Sequence, residues 1–94
     1  MRIVWTPEAQ QDRFDIWKYI ASDNPRAAAQ IDSLFSNTVA ELRNQPHMGR
    51  HGKVSGTRKL IPHKNYRLVY EVNQQTVWII ALVHTARQWP FVKK

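Results

Sequence analysis

Three arginines in the second half of the chain, Arg58, Arg67 and Arg87, fall on or just after successive runs of β-type residues, so they could reach one concave face. Guanidinium groups gathered there would grip phosphate oxygens in pairs and would stabilise a pentavalent phosphorane by charge alone. A metal-independent ribonuclease also needs a base for the 2′-hydroxyl and an acid for the leaving 5′-oxygen, and His84, His63 and Glu71 are the side chains at hand. A plainer reading is equally open: Arg67 and Glu71, four apart on a strand, solvate a sheet, and His84 ends a strand. His47 and His51 are also four apart, but no Cys or carboxylate stands near them, so no metal and no other cofactor is expected. No Ser/His/Asp order, phosphate-cradling glycine loop or paired-carboxylate pattern is present.

Charge is divided unevenly along the 94 residues. Residues 1–46 carry five Lys/Arg against six acids, whereas residues 47–94 carry nine against Glu71 alone, and the net charge is +7. All four histidines lie in the basic half. Such polarity makes a field that attracts polyanions, either nucleic acid or an acidic protein segment. The chain has no Cys, and its longest apolar run, Val77–Val83, is far too short to span a bilayer. Met1–Thr6 lacks the zones of a signal peptide, so a cytoplasmic protein without a membrane partner is expected.

These side chains must be held by a small framework. At this length one domain over residues 1–94 is expected, with 90–94 as a flexible tail. Arg2–Thr6 reads as a short strand. Thr6 then suits an N-cap, Pro7 the first helical position and Glu8 the positive end of a helix dipole. Ala9, Ile16, Trp17 and Ile20, with Phe14 alongside, predict an apolar stripe on a helix running to about Ala21. Asn24-Pro25 repeats the start signal, and Ala27, Ala28, Ile31, Leu34, Phe35, Thr38 and Leu42 recur at helical spacing until Asn44-Gln45-Pro46. Trp17, Ile31, Phe35 and Leu42 are expected in the core.

Gln45–Gly56 reads as a basic loop, followed by strands over Thr57–Ile61, Tyr66–Val72 and Thr76–His84. On the last, Val77, Ile79, Ala81 and Val83 should share one face and Trp78, Ile80 and Leu82 the other, which predicts a central strand. Trp89 and Phe91, either side of Pro90, either close the core or form an apolar handle, with partial burial expected. The order β-α-α-β-β-β predicts an α+β, two-layer domain: an N-terminal helical hairpin packed on a twisted, mostly antiparallel four-stranded sheet.

The runs Tyr66-Arg67-Leu68-Val69-Tyr70-Glu71-Val72 and Val83-His84-Thr85-Ala86-Arg87-Gln88-Trp89-Pro90 resemble the two signature segments of the RelE/ParE superfamily of bacterial toxins. Gly56-Thr57-Arg58-Lys59-Leu60 resembles its strand-opening motif, and Trp5–Ala9 with Asp15-Ile16 and Tyr19-Ile20 its first strand and helix. The resemblance implies the toxin of a type II toxin–antitoxin module, held in a hetero-oligomer by an antitoxin with an extended, acidic C-terminal segment. One branch of the superfamily cleaves mRNA on the ribosome and the other poisons DNA gyrase on the same fold. For the ribonuclease branch the resemblance implies catalytic roles for Arg58, Arg67 and Arg87, with His84 as acid or base. Leu60 stands where that branch has a second lysine, and only Trp89 could replace its C-terminal tyrosine. The long helical hairpin and the His84–Pro90 ending lean to the gyrase-directed branch. In either branch Arg50, Lys53, Arg58, Lys59, Lys64, Arg67, Arg87 and Trp89 are candidates for binding target or antitoxin. A non-toxic nucleic-acid-binding module is the third reading.

Overall fold

The computed structural model describes residues 1–90, so the part of the expected tail beyond Pro90, with Phe91, Lys93 and Lys94, lies outside the described residues. Strand β1 (Arg2–Trp5) leads into helix α1 (Pro7–Ala21), and helix α2 (Pro25–Asn44) follows after a three-residue turn. Both helices start as their sequences dictate. The Thr6 hydroxyl accepts the Ala9 N–H at 3.1 Å and the Asn24 side chain accepts the Ala27 N–H at 3.0 Å, each ahead of a proline. Arg13 then ties the two helices together. Its guanidinium holds both carboxylate oxygens of Asp32 at 2.6 and 3.0 Å, donates to Ser36 at 2.6 Å, and stacks over the Trp5 ring at 4.8 Å.

Four further strands follow among the described residues: β2 (Arg50–His51), β3 (Thr57–His63), β4 (Tyr66–Asn73) and β5 (Thr76–His84). The sheet order is β1-β5-β4-β3-β2, with β1 parallel to β5 and the other neighbours antiparallel. The sheet therefore has five strands rather than the four expected. The extra one is the two-residue β2 inside the expected loop, which pairs Arg50 with Lys59 and His51 with Arg58. Two residues are too few to leave a period in the sequence, so backbone pairing alone defines it. β3 also runs past Ile61, through a register shift between Leu60 and His63. Pro62 sits in that shift, where its missing N–H disturbs no regular ladder.

One face of the sheet carries the helices. Phe35 and Leu42 of α2 and Ala9 of α1 pack there against Leu68, Tyr70, Val77, Ile79 and Leu82, all buried. Strict alternation along β5 fails at Ile80. Val69 pairs with Ala81 but Tyr70 pairs with Ile79, so Ile80 is an extra residue, and the faces exchange beyond it. Leu82 consequently joins Val77 and Ile79 under the helices, while Ala81 and Val83 join Val69 on the opposite face. Trp17 departs from expectation as well. It is 44% exposed and stacks on Phe14, because Ile16 and Ile20 already fill the inward stripe of α1.

Tyr70 anchors the loop before β2. Its buried hydroxyl accepts the Gly49 N–H at 2.9 Å and donates to the Pro46 carbonyl at 2.8 Å, and burial pushes the phenol above its ordinary pKa. A Cβ on residue 49 would stand 2.7 Å from that hydroxyl and 2.9 Å from the Lys59 carbonyl, so only glycine fits. Tyr70→Phe leaves a buried amide and carbonyl unpaired, and chemical denaturation should show a loss of about 1–3 kcal/mol.

Candidate functional site

The face of the sheet opposite the helices is where cations and apolar side chains meet. Cross-strand partners share a face, so Lys59 stands beside Val69 on one side and Arg50 on the other, and Arg67 stands beside Val83. The partly buried Trp89 closes over Val69, Ala81 and Val83, and with Gly52, Lys53, Lys59 and Arg67 it lines a shallow crevice. Exposed Lys53 extends the basic rim. Arg67 is fixed at the centre by the hydrogen bond from Nη2 to the Arg87 carbonyl at 2.8 Å. An apolar strip bordered by Arg50, Lys53, Lys59 and Arg67 suits a partner with apolar and acidic side chains in alternation.

Arg58, Arg67 and His84 do not share one face of the sheet. Arg58 pairs with Tyr70 and therefore faces the helix side, where Nη1 donates to the carbonyls of Gly49 at 2.8 Å and His47 at 3.1 Å. Its guanidinium braces the loop that Tyr70 anchors. His84 pairs with Tyr66, its ring edge-on at 5.6 Å, and its Nδ1 accepts the Ala86 N–H at 3.0 Å. It too lies on the helix side, the face opposite to that of Arg67. Arg87 meets Arg67 through its backbone carbonyl, and it borders a cleft with His84. Sequence runs fix the strand of each residue but not the side of the sheet, and a one-residue bulge is enough to separate His84 from Arg67.

The remaining candidates are dispersed. Glu71 shares the open face with Arg67, but four residues of strand put the two about 13 Å apart, beyond ion-pair reach. His63 packs against Tyr66 at 6.0 Å, and its Nδ1 accepts the Asn65 N–H. Lys64 is exposed in the β3–β4 turn, where its carbonyl accepts the Thr85 hydroxyl. Among the described residues no three His, Cys, Asp or Glu side chains lie together as a metal site requires. No described helix is long and apolar enough to cross a membrane.

Sequence reasoning missed a second concavity. A cleft of about 640 Å³ opens between α1 and the end of β5, lined among others by Asp12, Asp15, Tyr19, Tyr66, His84 and Arg87. Asp12 Oδ2 accepts the N–H of Leu82 at 3.1 Å. Burial pushes its carboxyl above the ordinary value of 3.8, the hydrogen bond from Leu82 opposes that shift, and Asp15 and Glu8 add to it. A carboxyl with a raised folded-state pKa binds its proton more tightly when folded, so this group's contribution to stability falls as pH rises from 3.8 through the shifted value. Asp12→Asn keeps an acceptor for Leu82 and removes the charge. Its thermal midpoint should exceed that of the parent at pH 7, and the gap should close in scans taken at more acid pH.

Three comparisons bear on this geometry. The family model described as the ParE toxin of the type II toxin–antitoxin system parDE matches residues 3–89. A candidate toxin, Y4kP of Sinorhizobium fredii, is 34% identical over 92 residues, which cover 97% of this chain and 95% of that protein. Among solved structures, the chromosomal ParDE system of P. aeruginosa matches with a TM-score of 0.79 at 20% identity, covering 89% of this chain and 95% of that one. The YoeB/ParE toxin from Agrobacterium tumefaciens matches with a TM-score of 0.67 at 17% identity, over 89% and 98% of the two chains. At these identities the structural matches speak to the fold, which is the same two helices on a mixed sheet.

Proposed function

Because the chain belongs to the ParE toxin family of type II toxin–antitoxin systems, we propose that this toxin arrests growth by binding DNA gyrase, and that it does so without cleaving RNA. The observation that carries the reading is the scatter of the would-be catalytic groups. Cutting RNA requires phosphate-binding guanidiniums and a proton donor around a single reacting centre. Here Arg67 faces one side of the sheet, while Arg58 and His84 face the other and already have structural partners. The open face, with Lys59, Arg67 and Trp89, serves as a contact surface in this reading, and its charge steers an acidic antitoxin segment onto the same ground.

The test is direct. Purified toxin incubated with gyrase and relaxed plasmid should block supercoiling, and programmed ribosomes treated with the same preparation should show no new 5′ ends. Cut transcripts together with undisturbed supercoiling would replace this reading by a ribosome-dependent endoribonuclease.

A further inference from the structure

β1 is an outer strand of the sheet, with β5 on one side and no described strand on the other. Arg2 donates its N–H to the Gln75 carbonyl at 2.9 Å and Thr6 donates to that of Ile79 at 3.0 Å, so the even-numbered residues here turn their main-chain groups toward β5. Along a strand those groups alternate from edge to edge. Ile3 and Trp5 therefore point their N–H and C=O groups away from the sheet, and none of the four has a partner among the described residues. Two donors and two acceptors, in pairs about 7 Å apart, are a template for an added strand.

The space beside this edge already has a shape and a charge. A cleft of about 250 Å³ lies between β1 and the helices, lined among others by Ile3, Trp5, Arg13, Val39, Ala40 and Arg43. Its charged residues are both arginines, and no described acid lines it. Arg13 is neutralised by Asp32. Arg43 is exposed with no described hydrogen bond or ion pair, and the side chain of Arg2, exposed at the start of the strand, has none either.

These features select the occupant. A second copy of this chain would bring another net charge of +7, with its own Arg2 and Arg43, and is repelled. A nucleic acid satisfies arginines but offers Ile3 and Trp5 no amide ladder. An extended polypeptide with acidic side chains meets both needs. We propose that the outer edge of β1 receives, by β-strand addition, an extended acidic segment of another protein. Its main chain pairs with Ile3 and Trp5, an apolar side chain sits over Val39 and Ala40, and a carboxylate meets Arg43. Ile3 and Trp5 pack on the helix side, so this contact is separate from the open face that carries Lys59 and Arg67. It does not depend on the gyrase reading, and its failure would leave that reading standing.

The probe is a blocked heptapeptide of alternating Glu and Val, with Glu at both ends, added to labelled toxin carrying Lys59→Glu and Arg67→Glu so that the open face repels it. At ten times its dissociation constant it should slow amide exchange at Ile3 and Trp5 about tenfold, because only about one toxin molecule in eleven is then free. Arg43→Glu, at an exposed position, should weaken the peptide about tenfold with the thermal midpoint unchanged. Absence of binding, or binding with both amides at their free rates, overturns the proposal. Equal affinity for a peptide with lysines in place of the glutamates overturns it as well. Protection by a single-stranded oligothymidylate would assign the edge to nucleic acid, and protection that rises with toxin concentration alone would assign it to a second copy of this chain. Either result overturns the proposal.

Discussion

Reversing two charges on the open face, Lys59→Glu with Arg67→Glu, should weaken antitoxin binding by about 10²- to 10³-fold, because each reversal replaces attraction by like-charge repulsion at a partly desolvated contact. Toxicity on induced expression should fall with it, since the proposed target surface is the same ground. Stability should barely change. Arg67 gives up one hydrogen bond to the Arg87 carbonyl, and Lys59 has no described side-chain hydrogen bond. Titration calorimetry against the antitoxin, paired with a thermal scan, separates these effects. Arg58→Ala should behave in the opposite way. It leaves the carbonyls of His47 and Gly49 without their guanidinium and so lowers the thermal midpoint, while antitoxin affinity stays within a few-fold of the parent. A ribonuclease would respond differently, losing activity at Arg58 and Arg67 alike.

The largest stability effect is expected at Phe35. This ring is 1% exposed, meets Tyr66 edge-on at 5.8 Å, and packs in the core that joins α2 to the sheet. Phe35→Ala removes that contact and leaves a cavity, which costs about 3–5 kcal/mol. That is a large share of the ~5–15 kcal/mol that holds a domain together, so urea titration should show the variant partly unfolded at moderate denaturant. Trp17→Ser, although it removes a larger ring, should cost under about 1 kcal/mol because its side chain is already 44% exposed. The pair distinguishes the ring that builds the core from the one that only shares its spacing.

That contrast marks what the sequence could say. Both helix starts were legible, because Thr6-Pro7 and Asn24-Pro25 are local chemistry that acts in place. The limits of β5 and its place inside the sheet were legible too, since a strand apolar on both faces must have neighbours on both sides. Trp17 was misplaced because an i, i+3, i+4 pattern gives a stripe wider than the surface it must cover, and the sheet beneath selected Ile16 and Ile20. The geometry of the candidate site was hidden for a related reason. Basic residues announced a cationic surface, and Lys59, Arg67 and Trp89 do gather on it, but the side taken by His84 depends on the bulge at Ile80. An added residue of that kind is defined by pairing with a strand elsewhere in the chain and leaves no local mark. Asp12 escaped notice because its partner is a backbone N–H seventy residues away.

The parallel pairing of β1 with β5 also bears on the order of assembly during synthesis. Arg2–Trp5 are made 74 residues ahead of their partners Thr76–Ile79. The helical hairpin rests on local contacts and can form early, but the sheet beneath it cannot close until β5, which lies between β1 and β4, has been added. The surface formed by β3, β4 and β5 is therefore completed only once β5 has been made. A nascent chain would present no finished toxin face before β5 has cleared the ribosome.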